Sequence, residues 1–371
     1  MNLYPFYVIK RIAVIRKESK ELYFAMKQKG TNKKLKISLF ILMGILLVLF
    51  FIPTPYYLNQ PGSIESLAEK VTVEDGDKTE AGSLNLTTVY SIKASNPYIL
   101  LYGLLAPHTE IKEEEEVKGD LSDQEYNSLL LHMMDTSKQN AIIASLHAAG
   151  EKVEYQYNGV FVAGVLETSK AKSVIHVGDI IHKVDGNEFT QATDLIAYLK
   201  GKKAGDKVEI EYTHNNKDKK ATVEMIVLNK QTGQAGIGIS TENNMSIDPS
   251  VNVKINSDNI GGPSAGLMFS LEIYNQLEDD DLTKGYKVAG TGTMDAEGNV
   301  GQIGGIKHKI VAAHKADVDI FFYPEDNYKD DTNEKEIKEE VAKEGYDDIK
   351  IVPVSTLQDA IDYLEKLPEK E

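Results

Sequence analysis

Residues 261–266 read Gly261-Gly262-Pro263-Ser264-Ala265-Gly266, and the apolar residues after them, Leu267, Leu271 and Tyr274, recur at helical spacing. A glycine-led loop thus opens an amphipathic helix with a serine at its start. At that place a hydroxyl and the neighbouring N–H groups sit at the positive end of the helix dipole, where an oxyanion is stabilised. The same residue also serves as a plain helix cap. A second segment bears on the choice: Gly304-Gly305-Ile306-Lys307-His308-Lys309 leads into Ile310-Val311-Ala312-Ala313-His314. Side chains two residues apart on a helix diverge by roughly 200°, so only one of Lys307 and Lys309 can face Ser264. A lysine takes a proton from serine only as a neutral amine, which requires its ordinary pKa of about 10.4 to fall by several units through burial. Ile310 to Ala313 offer Lys309 an apolar wall.

Working outward, the fold class reads as α+β. Leu84, Leu86, Thr88, Tyr90 and Ile92 alternate as a half-buried strand, and Val251, Val253 and Ile255 as another. Val318 to Tyr323, closed by Pro324, and Ile349 to Val354 read as further strands. Glu113 to Glu116 is a solvated charge run, after which the capping box Ser122-x-x-Glu125 opens one long helix or two shorter ones ending at Gly150. Ser355-x-x-Gln358 caps a last helix through Leu364. From about Tyr157 to Val227 the texture differs, with short apolar runs, a helical Asp194 to Leu199 and turn signals at Asp185-Gly186 and near Asn215. This is a separate β-rich domain.

The Ser264 and Lys309 segments together resemble the Lon family of proteases, whose Pro-Ser-Ala-Gly nucleophile loop is followed by a Gly-Gly-x-x-x-Lys segment. The resemblance implies Ser264 as nucleophile and Lys309 as general base. Ala289-Gly290-Thr291-Gly292 is similar to the family strand whose threonine hydroxyl holds the lysine, which makes Thr291 a supporting partner. Many Lon proteases carry an aspartate three residues before the serine, where this chain has Gly261; Asp258 is the candidate to replace it. The resemblance spans 251–364 and extends to the Leu84 strand and the helix ending at Gly150, so the β-rich domain is inserted into a Lon-type domain. Lon itself pairs this domain with an ATPase. Here the only Gly-Lys dipeptide, Gly201-Lys202, is followed by Lys203, so no Gly-x-x-x-x-Gly-Lys-Ser/Thr phosphate loop exists, and no ATP-driven unfolding or other cofactor is expected.

Within the inserted domain, Gly159-Val160-Phe161-Val162, then Val177-Gly178-Asp179-Ile180-Ile181 and Val184-Asp185-Gly186, resemble a PDZ domain. Such a domain receives a peptide carboxylate on backbone N–H groups and adds the peptide as a strand. On this reading Gly159 brings the backbone close to the ligand while Val160, Phe161 and Val162 form the peptide-binding loop and groove.

Charge places the chain. Residues 1–36 hold ten Lys or Arg against Glu18 and Glu21, a net of +8, so the rest carries −24 of the total −16. Immediately after Lys36, residues 37–58 form an uncharged run of 22 rich in Leu, Ile and Phe, close to the roughly 20 a membrane-spanning helix needs. Pro53 and Pro55 would end that helix, with Tyr56 and Tyr57 at the interface. The expected order is a basic cytoplasmic tail (1–36), a single span (37–58), a first protease part (59–150), the PDZ domain (151–228) and the main protease part (229–371). Everything after the span is expected outside the cytoplasm. This order is similar to the SepM-type, pheromone-processing Lon-like proteases of Gram-positive bacteria, which implies secreted or unfolded peptides as substrates.

The acidic body excludes a nucleic-acid surface over most of the chain, and zero cysteines exclude disulfides, thiolate metal sites and cysteine nucleophiles. No His-Glu-x-x-His occurs, so no metal is expected; the histidines read as structural or surface residues. Two alternatives stay open: a Ser-His-Asp hydrolase built from Ser264, Asp295 and His308 or His314, and a non-catalytic, membrane-tethered peptide-binding module. An oligomer is compatible with the resemblance.

Overall fold

The computed structural model describes Ser19, residues 33–258 and residues 260–370. The chain divides into two compact units. One comprises residues up to Tyr56 together with Lys93–Ala106; the other comprises Tyr57–Ile92 and Pro107 onward.

In the first unit, helix α1 (Lys33–Leu49) carries the apolar run. It stops short of the expected 37–58 boundary. Phe50 to Pro55 leave the helix, as two prolines two residues apart require, and strand β1 (Tyr56–Ser66) begins where the interfacial tyrosines were placed. Tyr57 and Leu58 are buried in the second unit. No helix among the described residues is long and apolar enough to cross a membrane, and most of the expected basic tail lies outside the described residues. Helix α2 (Pro97–Leu105), absent from the sequence reading, starts from an Asn96 cap whose side chain accepts from the N–H groups of Tyr98 and Ile99.

The second unit opens with β1, β2 (Val71–Val73) and β3 (Ser83–Lys93), then β4 (Glu110–Glu113), the short α3 (Glu114–Lys118) and α4 (Asp123–Ala148). α4 is one unbroken helix of 26 residues behind the Ser122/Glu125 capping box. The inserted domain follows with β5 (Val153–Val165), β6 (Ile180–Val184), β7 (Asn187–Glu188), α5 (Ala192–Lys200), β8 (Lys207–His214), β9 (Lys217–Glu224), β10 (Ile226–Asn229), β11 (Gln234–Gly236) and β12 (Ile239–Pro249). The chain then returns through β13 (Val253–Ile255), α6 (Gly266–Leu277), β14 (Lys287–Gly290), β15 (Thr293–Met294), β16 (Val300–Gly301), α7 (Ile306–Lys315), β17 (Ile320–Pro324), α8 (Asn333–Glu344), β18 (Lys350–Val354) and α9 (Leu357–Glu365). The cap of α9 is Thr356 with Asp359, one residue after the expected Ser355.

The body is built on a sheet of order β18-β17-β14-β3-β1-β4, with β3, β14, β17 and β18 parallel. Strand alternation splits its apolar residues between two faces. Val288, Phe322 and Val352 join a core with Leu267, Phe269 and Leu271 of α6 and Met134 and Leu146 of α4. Ala289, Phe321 and Tyr323 join Ile306 and Ile310 of α7 and Ile337 of α8. Helices therefore cover both faces, and the loops leaving β14 and entering α6 and α7 meet where the chemistry lies. The inserted domain has its own sheet, order β12-β5-β6-β8-β9, and its own core with Leu195 and Leu199 of α5. Because β12 pairs along β5 from Val153 to Val165, the domain runs on to Pro249, past the expected 228.

Candidate active site and peptide groove

Ser264 precedes α6, whose N-cap is Ala265. The loop before it depends on two glycines. Gly262 adopts φ +88°, open to glycine and strained for other residues. At Gly261 an added Cβ would stand 2.9 Å from the Cβ of Leu130, so the aspartate common in Lon proteases at this place has no room here. Helix α4 fixes the loop from one side: Gly262 N–H donates to Leu130 O at 2.9 Å, and Ser137 Oγ donates to Pro263 O at 2.9 Å. The β14–β15 connection fixes it from the other. Gly292 N–H donates to Ser264 O at 3.0 Å, and Thr291 Oγ1 donates to the same carbonyl at 2.9 Å.

Lys309, on α7, places Nζ 2.6 Å from Ser264 Oγ and 2.9 Å from Thr291 Oγ1. Thr291 thus accepts from the amine while donating to the Ser264 carbonyl, so one hydroxyl sets the positions of both Ser264 and Lys309. Lys309 is 3 % exposed, and burial lowers its pKa to about 7. Both of its hydrogen-bond partners are neutral hydroxyls, and among the described residues no carboxylate offsets the desolvation. The amine is therefore substantially neutral near pH 7 and within hydrogen-bond reach of the serine it would deprotonate.

The other sequence candidates separate clearly. Lys307 faces solvent, 3.9 Å from Glu336. Asp258 does not tune Lys309: its exposed carboxylate pairs with Lys70 at 2.9 Å, and Lys70 also meets Glu65 at 3.0 Å. Burial takes the role assigned to that aspartate. The Ser-His-Asp arrangement is not assembled either. His308 lies 3.5 Å from Glu110, His314 stacks on Tyr346 and meets Asp348 at 3.1 Å, and Asp295 accepts from Asn299 in a turn.

The peptide-binding residues require a correction. Val160 and Val162 are fully buried in the inserted domain's core. Phe161 is buried and stacks on His132 of α4 with ring centroids 3.5 Å apart. Gly159, at φ +132°, permits close approach to β6, where a Cβ would stand 2.9 Å from Ile181 O. β5 is an interior strand, paired with β6 on one side and β12 on the other, so it has no edge to offer a ligand.

The sheet's edge strands are β9 and β12, and it is β12 that lies beside α5. A groove of about 250 Å³ lies between the loop Gly236-Ile237-Gly238-Ile239 with the start of β12 on one side and Leu195, Ile196 and Leu199 of α5 on the other. Gly238 adopts φ +74°, and a Cβ there would stand 2.9 Å from Ser169 Cβ. The loop carbonyls turn inward: Ile237 O accepts from Ser169 Oγ at 2.5 Å and Gly238 O from Leu166 N–H at 2.9 Å. Among the described residues no acceptor takes the N–H of Ile237 or Gly238. Apolar walls, a strand edge and a glycine loop with spare donors are what strand addition and carboxylate capture need. The signal in the sequence was the Gly-Ile-Gly-Ile alternation itself, after the last strand of the expected domain.

Two clusters offer ligand atoms of metal type: His176, Asp179 and His214, and His108, Glu340 and Glu344. In the first, Asp179 already spends one oxygen on His214 Nδ1 at 2.6 Å and the other on His176 N–H at 2.9 Å. That N–H is the backbone's; His176 Nδ1 itself is buried with no hydrogen-bond partner among the described residues.

The comparisons with known proteins follow this division. The family model described as PDZ domain matches residues 148–225. Among solved structures the chain is similar to the PDZ domains of the SdrC-like proteins of Listeria monocytogenes and Listeria innocua. The first is 39 % identical, covering 23 % of this chain and 88 % of that one at a TM-score of 0.22; the second is 38 % identical, covering 22 % and 92 % at 0.22. The family match at residues 148–225 marks a PDZ domain within a larger mixed α and β body.

Lon proteases are among its curated relatives. The chain is 38 % identical over 128 residues to the Lon protease of Campylobacter jejuni, covering 32 % of this chain and 15 % of that one. It is 32 % identical over 98 residues to that of Aster yellows witches'-broom phytoplasma, covering 26 % and 11 %. The chain thus spans only a small part of the length of these relatives.

Proposed function

We propose that this chain is an ATP-independent serine endopeptidase that uses a Ser264–Lys309 dyad to cut short or unstructured peptides. The observation that carries the reading is the 2.6 Å contact between Lys309 Nζ and Ser264 Oγ at an amine that burial brings to a pKa of about 7. Neutral Lys309 takes the Oγ proton as Ser264 attacks the scissile carbonyl. The resulting oxyanion forms beside the N-terminus of α6, where backbone N–H groups and the helix dipole favour negative charge. The protonated amine then gives its proton to the departing amino group as the C–N bond breaks, leaving an acyl-serine. Water, deprotonated by the same amine, hydrolyses that ester and restores Ser264. Thr291 is a positioning residue throughout. The PDZ groove holds a peptide end as an added strand on β12. On the resemblance stated above, the substrates are small secreted peptides such as a pheromone precursor. The basic segment and the apolar run from Ile37 then anchor the chain in the cytoplasmic membrane, with both folded parts on its outer side.

The test uses the full chain in detergent or vesicles, because β1 starts at Tyr56 and cutting the chain at residue 59 would sever that strand. The protein and its Ser264→Ala variant are incubated without ATP with a broad set of secreted peptides, and new termini are read by mass spectrometry. Discrete termini in the unaltered protein alone are the expected result. Identical spectra from the two would sink the protease reading and leave the tethered binding module.

A further inference from the structure

We infer that helix α2 is a second membrane-contacting element beside α1, lying in the outer boundary between headgroups and acyl chains. This rests on the membrane reading above. Residues 94–107, Ala-Ser-Asn-Pro-Tyr-Ile-Leu-Leu-Tyr-Gly-Leu-Leu-Ala-Pro, contain no charged side chain. Within α2 only Gly103 is buried, while Leu101 is 53 %, Leu104 68 % and Leu105 78 % exposed, and Tyr98 and Tyr102 are exposed as well. A helix apolar around its whole circumference is stable in a protein core or in lipid, and α2 has no core around it. Protein–protein patches carry a polar rim; this segment has none.

The continuity of α2 with α1 indicates what covers it. Ile37 to Ile52 expose apolar side chains all round, and both helices belong to the same compact unit. The junctions are tied: Ala94 N–H donates to Tyr56 O at 2.8 Å, and Thr54 Oγ1 donates to Ala94 O. Tyr98 Oη donates to Leu46 O in the last turn of α1. α2 therefore begins beside the point where the chain leaves α1. Its nine residues make about 14 Å of helix, less than half a hydrocarbon core. It lies along the boundary instead of crossing it, where tyrosines such as Tyr98 and Tyr102, one turn apart, are favoured. The Asn96 cap and Pro97 preform the helix, so little ordering remains to be done on contact with lipid.

The absence of cysteine makes the test direct. Single-cysteine variants Leu104→Cys on α2, Ile45→Cys on α1 and Tyr328→Cys on the body, where Tyr328 is 80 % exposed, are labelled with an environment-sensitive fluorophore. The full chain is placed in vesicles of phosphatidylcholine and phosphatidylglycerol carrying shallow or deep spin-labelled acyl chains. The expected result is quenching of at least about twofold at 104, stronger with the shallow label, strong deep quenching at 45 and none at 328. Quenching at 45 without quenching at 104 overturns the inference and leaves the anchor standing. No quenching at either position overturns the membrane reading itself. A blue-shifted probe at 104 that no lipid label reaches identifies protein cover, such as a second copy, and also overturns it.

Discussion

Two glycine-led loops do opposite things with the same backbone freedom. Gly261-Gly262-Pro263-Ser264 is held from α4 and from the β14–β15 connection, and it delivers its hydroxyl to a lysine that is 3 % exposed. Gly236-Ile237-Gly238-Ile239 turns its carbonyls inward and leaves N–H groups on an open groove. Covalent chemistry by an amine base needs desolvation, because burial alone makes the amine neutral. Recognition of a peptide strand needs an unpaired edge, because the ligand supplies the missing hydrogen bonds. The first loop should therefore respond steeply to changes in ionisation and the second to changes in shape.

The largest effect tests the first half of that contrast. Ser264→Ala and Lys309→Met are each expected to reduce peptide cleavage by at least about 10³-fold, and the double variant no further, since residues acting as one unit are not additive. Steady-state cleavage of a fluorogenic peptide measures this. Lys307→Met should retain full activity, and its loss of turnover would reassign the base. Next comes pH. With the Lys309 pKa near 7, kcat/KM should fall about tenfold per unit below pH 7, as the amine protonates, and level off above it. A native pKa below the unfolded value also means that the cost of burying this lysine is full below about 7 and fades as pH rises towards about 10. A flat profile from pH 5 to 8 would remove the buried-amine argument.

Smaller effects sharpen the comparison. Thr291→Val removes the hydroxyl that joins Lys309 to the Ser264 carbonyl and should lower kcat roughly tenfold, about one hydrogen bond, with KM little changed. Thr291→Ser should restore most of it. Ile196→Asp, on the exposed rim of the α5 groove, should weaken peptide binding by about fivefold to tenfold in calorimetry. Cleavage of peptides too short to reach the groove should be unchanged. If Phe161→Ala weakened peptide binding more than Ile196→Asp did, the groove would have been placed on the wrong strand.

The two loops also differ in how far the sequence could reveal them. Ser264, Lys309 and Thr291 stand in a recognisable order; helical spacing allows only one of Lys307 and Lys309 to face Ser264, and the resemblance together with the apolar run after it singles out Lys309. The peptide groove is made of glycine, isoleucine and backbone N–H groups, and composition says nothing about which strand lies at a sheet edge. That is settled by pairing: β12 comes 90 residues or so after β5 began, yet lies against it along its full length. The alternation at Gly159–Val162 thus reads as a site of strand addition, yet it belongs to an interior strand. Asp258 failed for a related reason. Sequence proximity suggested a partner for the lysine, while Lys70, 188 positions away, had claimed its carboxylate. The start of β1 inside an apolar run was hidden because hydropathy does not distinguish a lipid-facing helix from a buried strand.

The smallest expected effect lies behind Ser264 and separates the ionisation of the body from that of the proposed Ser264–Lys309 pair. Glu272, on α6, is fully buried and lies against Glu80, whose side chain also accepts from Asn275 Nδ2 at 3.1 Å. Desolvation first and the neighbouring carboxylate second push Glu80 up to about 8, and burial raises Glu272 as well. A carboxyl whose native pKa exceeds its unfolded value of about 4.3 stabilises the fold most when protonated, and that contribution is lost as pH rises through about 8. The slope opposes that of Lys309. Replacing Glu80 by Gln keeps the amide-compatible contacts and removes the titration, so Glu80→Gln should melt within about a degree of the unaltered protein near pH 5. At pH 9 it should melt a few degrees higher. Its cleavage rate against pH should keep the same midpoint near 7, because that midpoint belongs to Lys309 on the opposite side of the sheet's helical cover. A shift of the activity midpoint in Glu80→Gln would show that the two buried ionisable sites are coupled through α6.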